Sequence, residues 1–244
     1  MHLCILKGGK VAGRSNDFVD ALFALKELSN GKYVLKPNLG QCGRNIIVMT
    51  VKDNELFFSD DIDYSYVKNL FQKEPYIVQE FVIQHEAMRL LNPSSVNTIR
   101  ITTTRFNSEA HLFTAIVRIG VTNSLVDNAA AGGTCVGVDI ETGKLMQYGY
   151  YHNRPKELLH PVSGIVYEGY QIPFWEEAVK LVKFLHQYFR GYPSIGWDVV
   201  ITEKGPKIIE NNYDWDFGIQ QQIFGGLKKR WNDAKKITLS EVVE

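Results

Sequence analysis

Residues 196–222 read G-W-D-V-V-I-T-E-K-G-P-K-I-I-E-N-N-Y-D-W-D-F-G-I-Q-Q-Q. Two short apolar runs, at 197–201 and 207–209, flank Glu203-Lys204-Gly205, which is the pattern of a β-hairpin with glycine in the left-handed position of its turn. A three-residue loop centred on Lys204 sets Asp198 across from Glu210. Because side chains alternate along a strand, Glu210 and Asn212 share one face. Three oxygen-bearing side chains then converge, with cross-strand Cβ atoms roughly 5 Å apart. Two carboxylates that close repel unless a cation lies between them. Few protein ligands and open positions suit Mg²⁺, which leaves its other positions to water and substrate phosphates, so the hairpin predicts phosphate chemistry. The same spacing fits an ordinary surface hairpin with solvated acids. Pro206 beside the turn could also shift the register by one and send Asp198 to the other face.

The 244-residue chain is 45% hydrophobic and 22% charged, the composition of a soluble globular protein with one large domain or two lobes. Lys plus Arg and Asp plus Glu both total 27, so no global field draws nucleic acid or anionic membrane, and any partner must be recognised by a local site. No apolar run approaches the roughly 18 residues of a membrane span, and the N-terminus lacks a signal-peptide layout; the expected location is cytoplasmic. Cys4, Cys42 and Cys135 are odd in number and widely spaced, which indicates neither a disulfide framework nor a zinc site.

Along the chain, residues 3–6 suit a strand. Ser15-Asn16-Asp17 offers an N-cap to a helix carrying Phe18, Ala21, Leu22, Leu25 and Leu28 and stopped by Gly31. Strands are expected at 32–37 and 45–51, joined by a loop with Gly40 and Gly43 that Lys36 and Arg44 bracket with positive charge. Such a loop can bring backbone N–H groups to an anion, or simply be a turn. Further strands fall at 55–58, 76–82, 97–105, 111–120, 134–140 and 145–151, with helices at 64–73 and 174–192, a helical turn at 85–91 and a terminal helix over 217–231 weakened by Gly225-Gly226. Arg100 and Arg118 lie inside β-branched runs, where an arginine faces water or pairs with an acid or a phosphate. His186 beside the helical stripe reads as a satisfied helix residue. Residues 152–173 form a long polar excursion, a length often tied to function. Strands outnumber helices without strict β-α-β alternation, so the fold class is α+β with mainly antiparallel sheets, divided into a small lobe over 1–80 and a larger one over 81–244.

Lys36 ahead of a glycine loop, a strand ending Gln79-Glu80-Phe81-Val82, an arginine strand, and a last hairpin with Asp198, Glu210 and Asn212 together resemble the ATP-grasp superfamily. The run N-P-S-S-V-N-T-I-R at 92–100, Asp127-Asn128, Gly132-Gly133, His160-Pro161 and Ile172-Pro173 are similar to its sugar-transfer-associated group. The resemblance implies two α+β lobes gripping ATP. Lys36 would hold the α- and β-phosphates, Gly40 to Arg44 would close over them, and Gln79, Glu80, Phe81 and Val82 would line the hinge and grip adenine. Glu86 takes the place of the ribose-binding acid. Asp198, Glu210 and Asn212 would carry Mg²⁺, and Arg100 or Arg118 would steady the transferring phosphoryl group. Such enzymes carry a preceding α/β domain and a further basic phosphate contact upstream, whereas 35 residues precede Lys36 here, with Lys7 or Lys10 as substitutes.

The resemblance implies an ATP-dependent ligase that activates a carboxylate as an acyl phosphate for an amine or other nucleophile, with a link to polysaccharide or cell-surface sugar biosynthesis and to polysaccharide-assembly enzymes as partners. Phosphoryl transfer to a hydroxyl and a non-catalytic nucleotide-binding domain are the alternatives. The small-molecule acceptor is not legible; Trp215, Asp216, Gln220 and the 152–173 excursion are where its pocket is expected.

Overall fold

A computed structural model describes residues 2–6, 8–12, 18–39, 45–59, 62–106, 109–120, 133–152 and 154–240. Gly40, Gly43 and Arg44 of the glycine loop, the cap at 15–17, Lys7 and the stretch 127–132 lie outside them. The chain divides into two compact units, Met1–Val82 and Ile83–Glu244.

In the first unit, strands β1 (His2–Leu6), β2 (Lys10–Ala12), β3 (Phe18–Asp20), β4 (Gly31–Pro37), β5 (Ile47–Lys52), β6 (Glu55–Phe58) and β7 (Tyr76–Glu80) form an antiparallel sheet in the order β3-β2-β1-β7-β4-β5-β6. Period-two alternation sorts its faces. Tyr33, Leu35, Ile47, Met49, Val51, Tyr76 and Val78 are buried in one cluster with Leu25 of α1 (Ala21–Lys26) and with Val67, Leu70 and Phe71 of α2 (Tyr64–Lys73). The alternate residues Val34, Lys36, Val48, Thr50, Ile77 and Gln79 are only half-buried, and the register pairs Lys36 with Ile77 and Val34 with Gln79 on that opposite face. Between β5 and β6, Asp53 and Asn54 both take positive φ, 52° and 61°. This is the two-residue turn whose twist suits a hairpin, and Asn30 pins it by accepting from the Asp53 N–H at 2.9 Å. The first helix starts later than the sequence suggests: residues 18–20 pair with β2, and Asp20 caps α1 by accepting from the Leu22 N–H at 3.0 Å.

The second unit holds α3 (Glu86–Leu91), β8 (Thr98–Thr104), β9 (His111–Ile119), β10 (Thr134–Val138), β11 (Leu145–Tyr150), α4 (Trp175–His186), β12 (Ser194–Thr202), β13 (Gly205–Asn212), α5 (Phe217–Phe224) and α6 (Lys228–Ser240). Its antiparallel sheet runs β11-β10-β9-β8-β12-β13. One face, with Ile99, Ile101, Val117, Trp197 and Val199, packs on Trp175, Ala178 and Val182 of α4 and on Met88 and Leu91 of α3. The α4 stripe fits the expected period, but the helix ends at His186. That ring is buried with both nitrogens bonded, Nδ1 to Thr103 Oγ1 at 2.7 Å and Nε2 to the Tyr192 carbonyl at 3.0 Å. The expected single terminal helix is two helices, because Gly225 breaks it at φ 77°, ψ −170°, a conformation costly for any residue with a Cβ.

Candidate functional site

The opposite face of the second sheet is polar where α5 leaves it uncovered. Its placement starts with the amide-rich run at 92–97. Asn97 is fully buried and its Nδ2 donates to the Met88 carbonyl at 2.7 Å, Gln84 donates to the Ser95 carbonyl at 2.7 Å, and Asn92 donates to the Gly120 carbonyl at 2.8 Å. Buried amides whose N–H groups are held in this way fix the backbone around them. This knot sets where β8 begins, and so which face Thr98 and Arg100 take.

Arg100 lies directly across from Asp198 on β12, and Thr98 directly across from Arg118 on β9. Asp198 is 1% exposed. Arg100 grips it as a two-pronged fork, with Nε donating to Oδ1 and Nη2 to Oδ2 at 3.0 Å. Arg118 Nη2 donates to the same Oδ2 at 2.9 Å and to Thr98 Oγ1 at 2.8 Å. The remaining Arg100 nitrogen, Nη1, donates to the Trp215 carbonyl at 3.1 Å. Burial opposes ionisation of Asp198. The charge of Arg118, the hydrogen bond and charge of Arg100 and a hydrogen bond with Glu210 outweigh it, and hold the carboxyl below its usual range.

The hairpin reaches the expected pairing by a different route. Its turn is tighter than three residues, with Thr202 paired to Gly205 at φ +107°, and the pairs from Val199–Ile208 to the turn are offset by one residue from those beyond. A β-bulge between Asp198 and Val199 restores the register, so Asp198 faces Glu210, Trp197 faces Asn211 and Gly196 faces Asn212. The one-residue shift that Pro206 could impose is thus present and is undone by the bulge, which is how such bulges re-aim a side chain. Glu210 is exposed and Asn212 half-exposed, with Asn212 Nδ2 3.4 Å from Glu210 Oε1.

The donor set is therefore one exposed carboxylate, one amide and one carboxylate whose oxygens already accept from two guanidinium groups. That fits a hard cation needing one or two carboxylates and open positions for water and phosphate. Among the described residues, no group of three His, Cys, Asp or Glu gathers to hold a metal by itself.

Other expected residues lie elsewhere. Lys36 and Gln79 sit on the half-buried face of the first sheet, and after Glu80 the chain leaves β7, with the Phe81 N–H donating to the Lys32 carbonyl at 2.9 Å. Glu86 opens α3, and both its oxygens accept from Arg89 at 2.8 Å; this bond, chiefly, lowers its pKa. Asp216 caps α5 by accepting from the Gly218 N–H at 3.1 Å. Gln220 is fully buried, accepting from Thr114 Oγ1 and donating to Thr102 Oγ1 at 3.2 Å. It ties α5 to the sheet. Sequence reasoning missed Gly196, over which Trp215 packs so closely that an added Cβ would overlap the Trp215 Cβ, and Thr98, the second partner of Arg118.

Two antiparallel-sheet units, the second presenting arginines beside paired carboxylates, define an α+β protein of the ATP-grasp class. The family model described as sugar-transfer associated ATP-grasp matches residues 14–236, and the chain belongs to that family. Among solved structures it is similar to an ATP-grasp ligase, PsnB, complexed with minimal precursor, Mg and ADP (10% identity, TM-score 0.35, 79% of this chain and 41% of that one). It is also similar to D-alanine–D-alanine ligase from Bacillus anthracis (10% identity, TM-score 0.40, 97% and 64%) and to the C-terminal domain of K. lactis Pby1, an ATP-grasp enzyme interacting with the mRNA decapping enzyme Dcp2 (14% identity, TM-score 0.30, 78% and 50%). The chain spans less than two thirds of the length of each. No curated protein matches it at a significant level. Among the described residues, no helix is long and apolar enough to cross a membrane.

Proposed function

We propose that the chain is an ATP- and Mg²⁺-dependent ligase that activates a carboxylate as an acyl phosphate for capture by an amine or other nucleophile. The observation that carries this reading is the convergence of Arg100 and Arg118 on Asp198 beside the exposed Glu210. Formal charges within this cluster sum to zero, so the cluster adds no net positive charge of its own and an arriving polyphosphate brings a cation with it. Glu210 and Asn212, with Asp198, are the side chains that would hold Mg²⁺; the bound ion neutralises phosphate charge and orients the terminal phosphoryl group.

Lys36, half-buried among Val34, Ile77 and Gln79, is the residue for the α- and β-phosphates. Arg118 is the more exposed of the two arginines, at 21% of its side chain, and is the one placed to stabilise charge on the transferring group, with Arg100 holding Asp198 in position. In the first step a carboxylate oxygen attacks the γ-phosphorus and the bond to the ADP oxygen breaks. In the second the nucleophile attacks the acyl carbon, the C–O bond to phosphate breaks, and the proton of the nucleophile passes to solvent. Positioning and charge neutralisation supply the catalysis. The family's description as sugar-transfer associated supports a setting in polysaccharide or cell-surface sugar biosynthesis; a place in the cytoplasm alongside polysaccharide-assembly enzymes is part of the same proposal.

Hydroxylamine trapping tests the reaction class. With ATP, Mg²⁺ and pooled amino acids or sugar acids, an acyl phosphate yields a hydroxamate. A phosphorylated acceptor that survives without any amine assigns the chain to phosphoryl transfer on a hydroxyl instead.

A further inference from the structure

The second unit holds a cleft of about 400 Å³ that the phosphate chemistry does not use. Its floor is Phe113, Trp215 and Trp231, interlocked edge to face with centroids 6.0 Å apart for Phe113–Trp215 and 5.7 Å for Phe113–Trp231, an arrangement that leaves the rings little freedom. Two more rings, Tyr213 at 75% and Phe217 at 59% exposure, line it from the solvent side. Large rings held in water around a concave surface are the usual lining of a small-molecule site.

Charge decides among ligands. Asp214 and Lys228 both line the cleft, so it carries no formal net charge. A cation suited to aromatic rings would meet Lys228, and an anion would meet Asp214. A neutral ligand whose edge both donates and accepts hydrogen bonds satisfies the two together, and a hydroxyl does both. An apolar C–H face with hydroxyls around its rim describes a pyranose ring.

Position gives the cleft its relation to the charged cluster. Tyr213 directly follows Asn212, and the Trp215 carbonyl that accepts from Arg100 belongs to a residue of the cleft. Three residues span at most about 11 Å, so a substituent on a ring bound there comes within reach of the Asp198–Arg118 face. We infer that this aromatic cleft binds a neutral pyranose and is the acceptor subsite. Its role as an acceptor subsite rests on the ligase reading; the binding does not.

The test is a tryptophan-emission titration of the full chain with methyl glucoside, galactoside, mannoside and N-acetylglucosaminide, alongside tetramethylammonium and adenosine. Trp215 and Trp231 report on the cleft, whereas Trp175 and Trp197 are buried in the other core. The expected result is a saturable change with at least one pyranoside, at a midpoint on the order of 1–10 mM, weakened roughly tenfold or more by the double variant Tyr213→Ala, Phe217→Ala. Both rings are exposed, so the variant should fold. The inference is overturned if no pyranoside titrates by roughly 100 mM, if only tetramethylammonium or adenosine saturates, or if the double variant binds as the wild type does. Stabilisation of the same variant by an ATP analogue with Mg²⁺ reads the nucleotide site separately, so either reading can fail while the other stands.

Discussion

Asp198→Asn removes the charge of a side chain that is 1% exposed while Arg100, 8% exposed, stays buried against it. Breaking a buried ion pair from one side costs about 3–5 kcal/mol, most of it from the stranded charge. For a unit of about 160 residues, each kcal/mol moves the midpoint by about 2–4 °C, so Asp198→Asn should lower it by about 6–20 °C. Arg100→Met should cost less, because Arg118 still bonds Asp198 Oδ2. In the double variant Arg100→Met, Asp198→Leu an apolar pair replaces the ionic one across β8 and β12. Set against the single variants Arg100→Met and Asp198→Leu, its loss should fall short of their sum by about 2 kcal/mol. Urea unfolding followed by tryptophan emission suits this cycle, since Trp175, Trp197, Trp215 and Trp231 all lie in the second unit. Additive losses, or an Asp198→Asn variant within about 0.5 kcal/mol of the wild type, would refute the reasoning and return Asp198 to a solvated role.

Gly196→Ala places a methyl against the Trp215 Cβ and 3.0 Å from Arg100 Cδ; thermal unfolding should show an overpacking loss of about 1–3 kcal/mol. Gln220→Leu strips the partner from the buried Thr102 and Thr114 hydroxyls and should cost about 1–3 kcal/mol, with faster hydrogen exchange in α5 as the local readout. Burial pushes His186 and His160 below the ordinary value of 6.5, with the charges of Arg105 and Arg154 acting the same way. The folded state keeps both rings neutral where the unfolded chain takes up protons. Stability from these groups is therefore whole above pH 6.5 and falls as pH drops through the window below it. A midpoint that rises on acidification from pH 7 to 5 would contradict this.

Unlike the three-residue strands β2 and β3, most strands and the hairpin were legible, because alternation and turn residues are local signals. So was the pairing of Asp198 with Glu210, although the bulge that produces it was not: nothing in I-I-E at 208–210 marks which residue is left unpaired. Arginine inside a strand left water, an acid or a phosphate open, and the choice depended on β8 and β12 being neighbours, a contact 98 residues apart in sequence. Helix ends failed where tertiary pairing overrode propensity, as when residues 18–20 joined a sheet. Asn97 reads as the start of a strand and Asn92 as part of the run at 92–100, but nothing marks them or Gln84 as a buried amide knot, because burial of amides is decided by what packs above them.

Asp198, Glu210 and Asn212 together predict a nucleotide site that needs a divalent cation. Thermal unfolding with a non-hydrolysable ATP analogue measures it most directly, with and without Mg²⁺, in the wild type and in Glu210→Gln. Ligand at about 100 times its dissociation constant adds roughly 2.7 kcal/mol, which predicts a rise of about 5–10 °C. That rise should require Mg²⁺ and be largely lost in Glu210→Gln, an exposed change that leaves the Asp198–Arg100 pair in place. No rise, or an equal rise without Mg²⁺, would contradict the account.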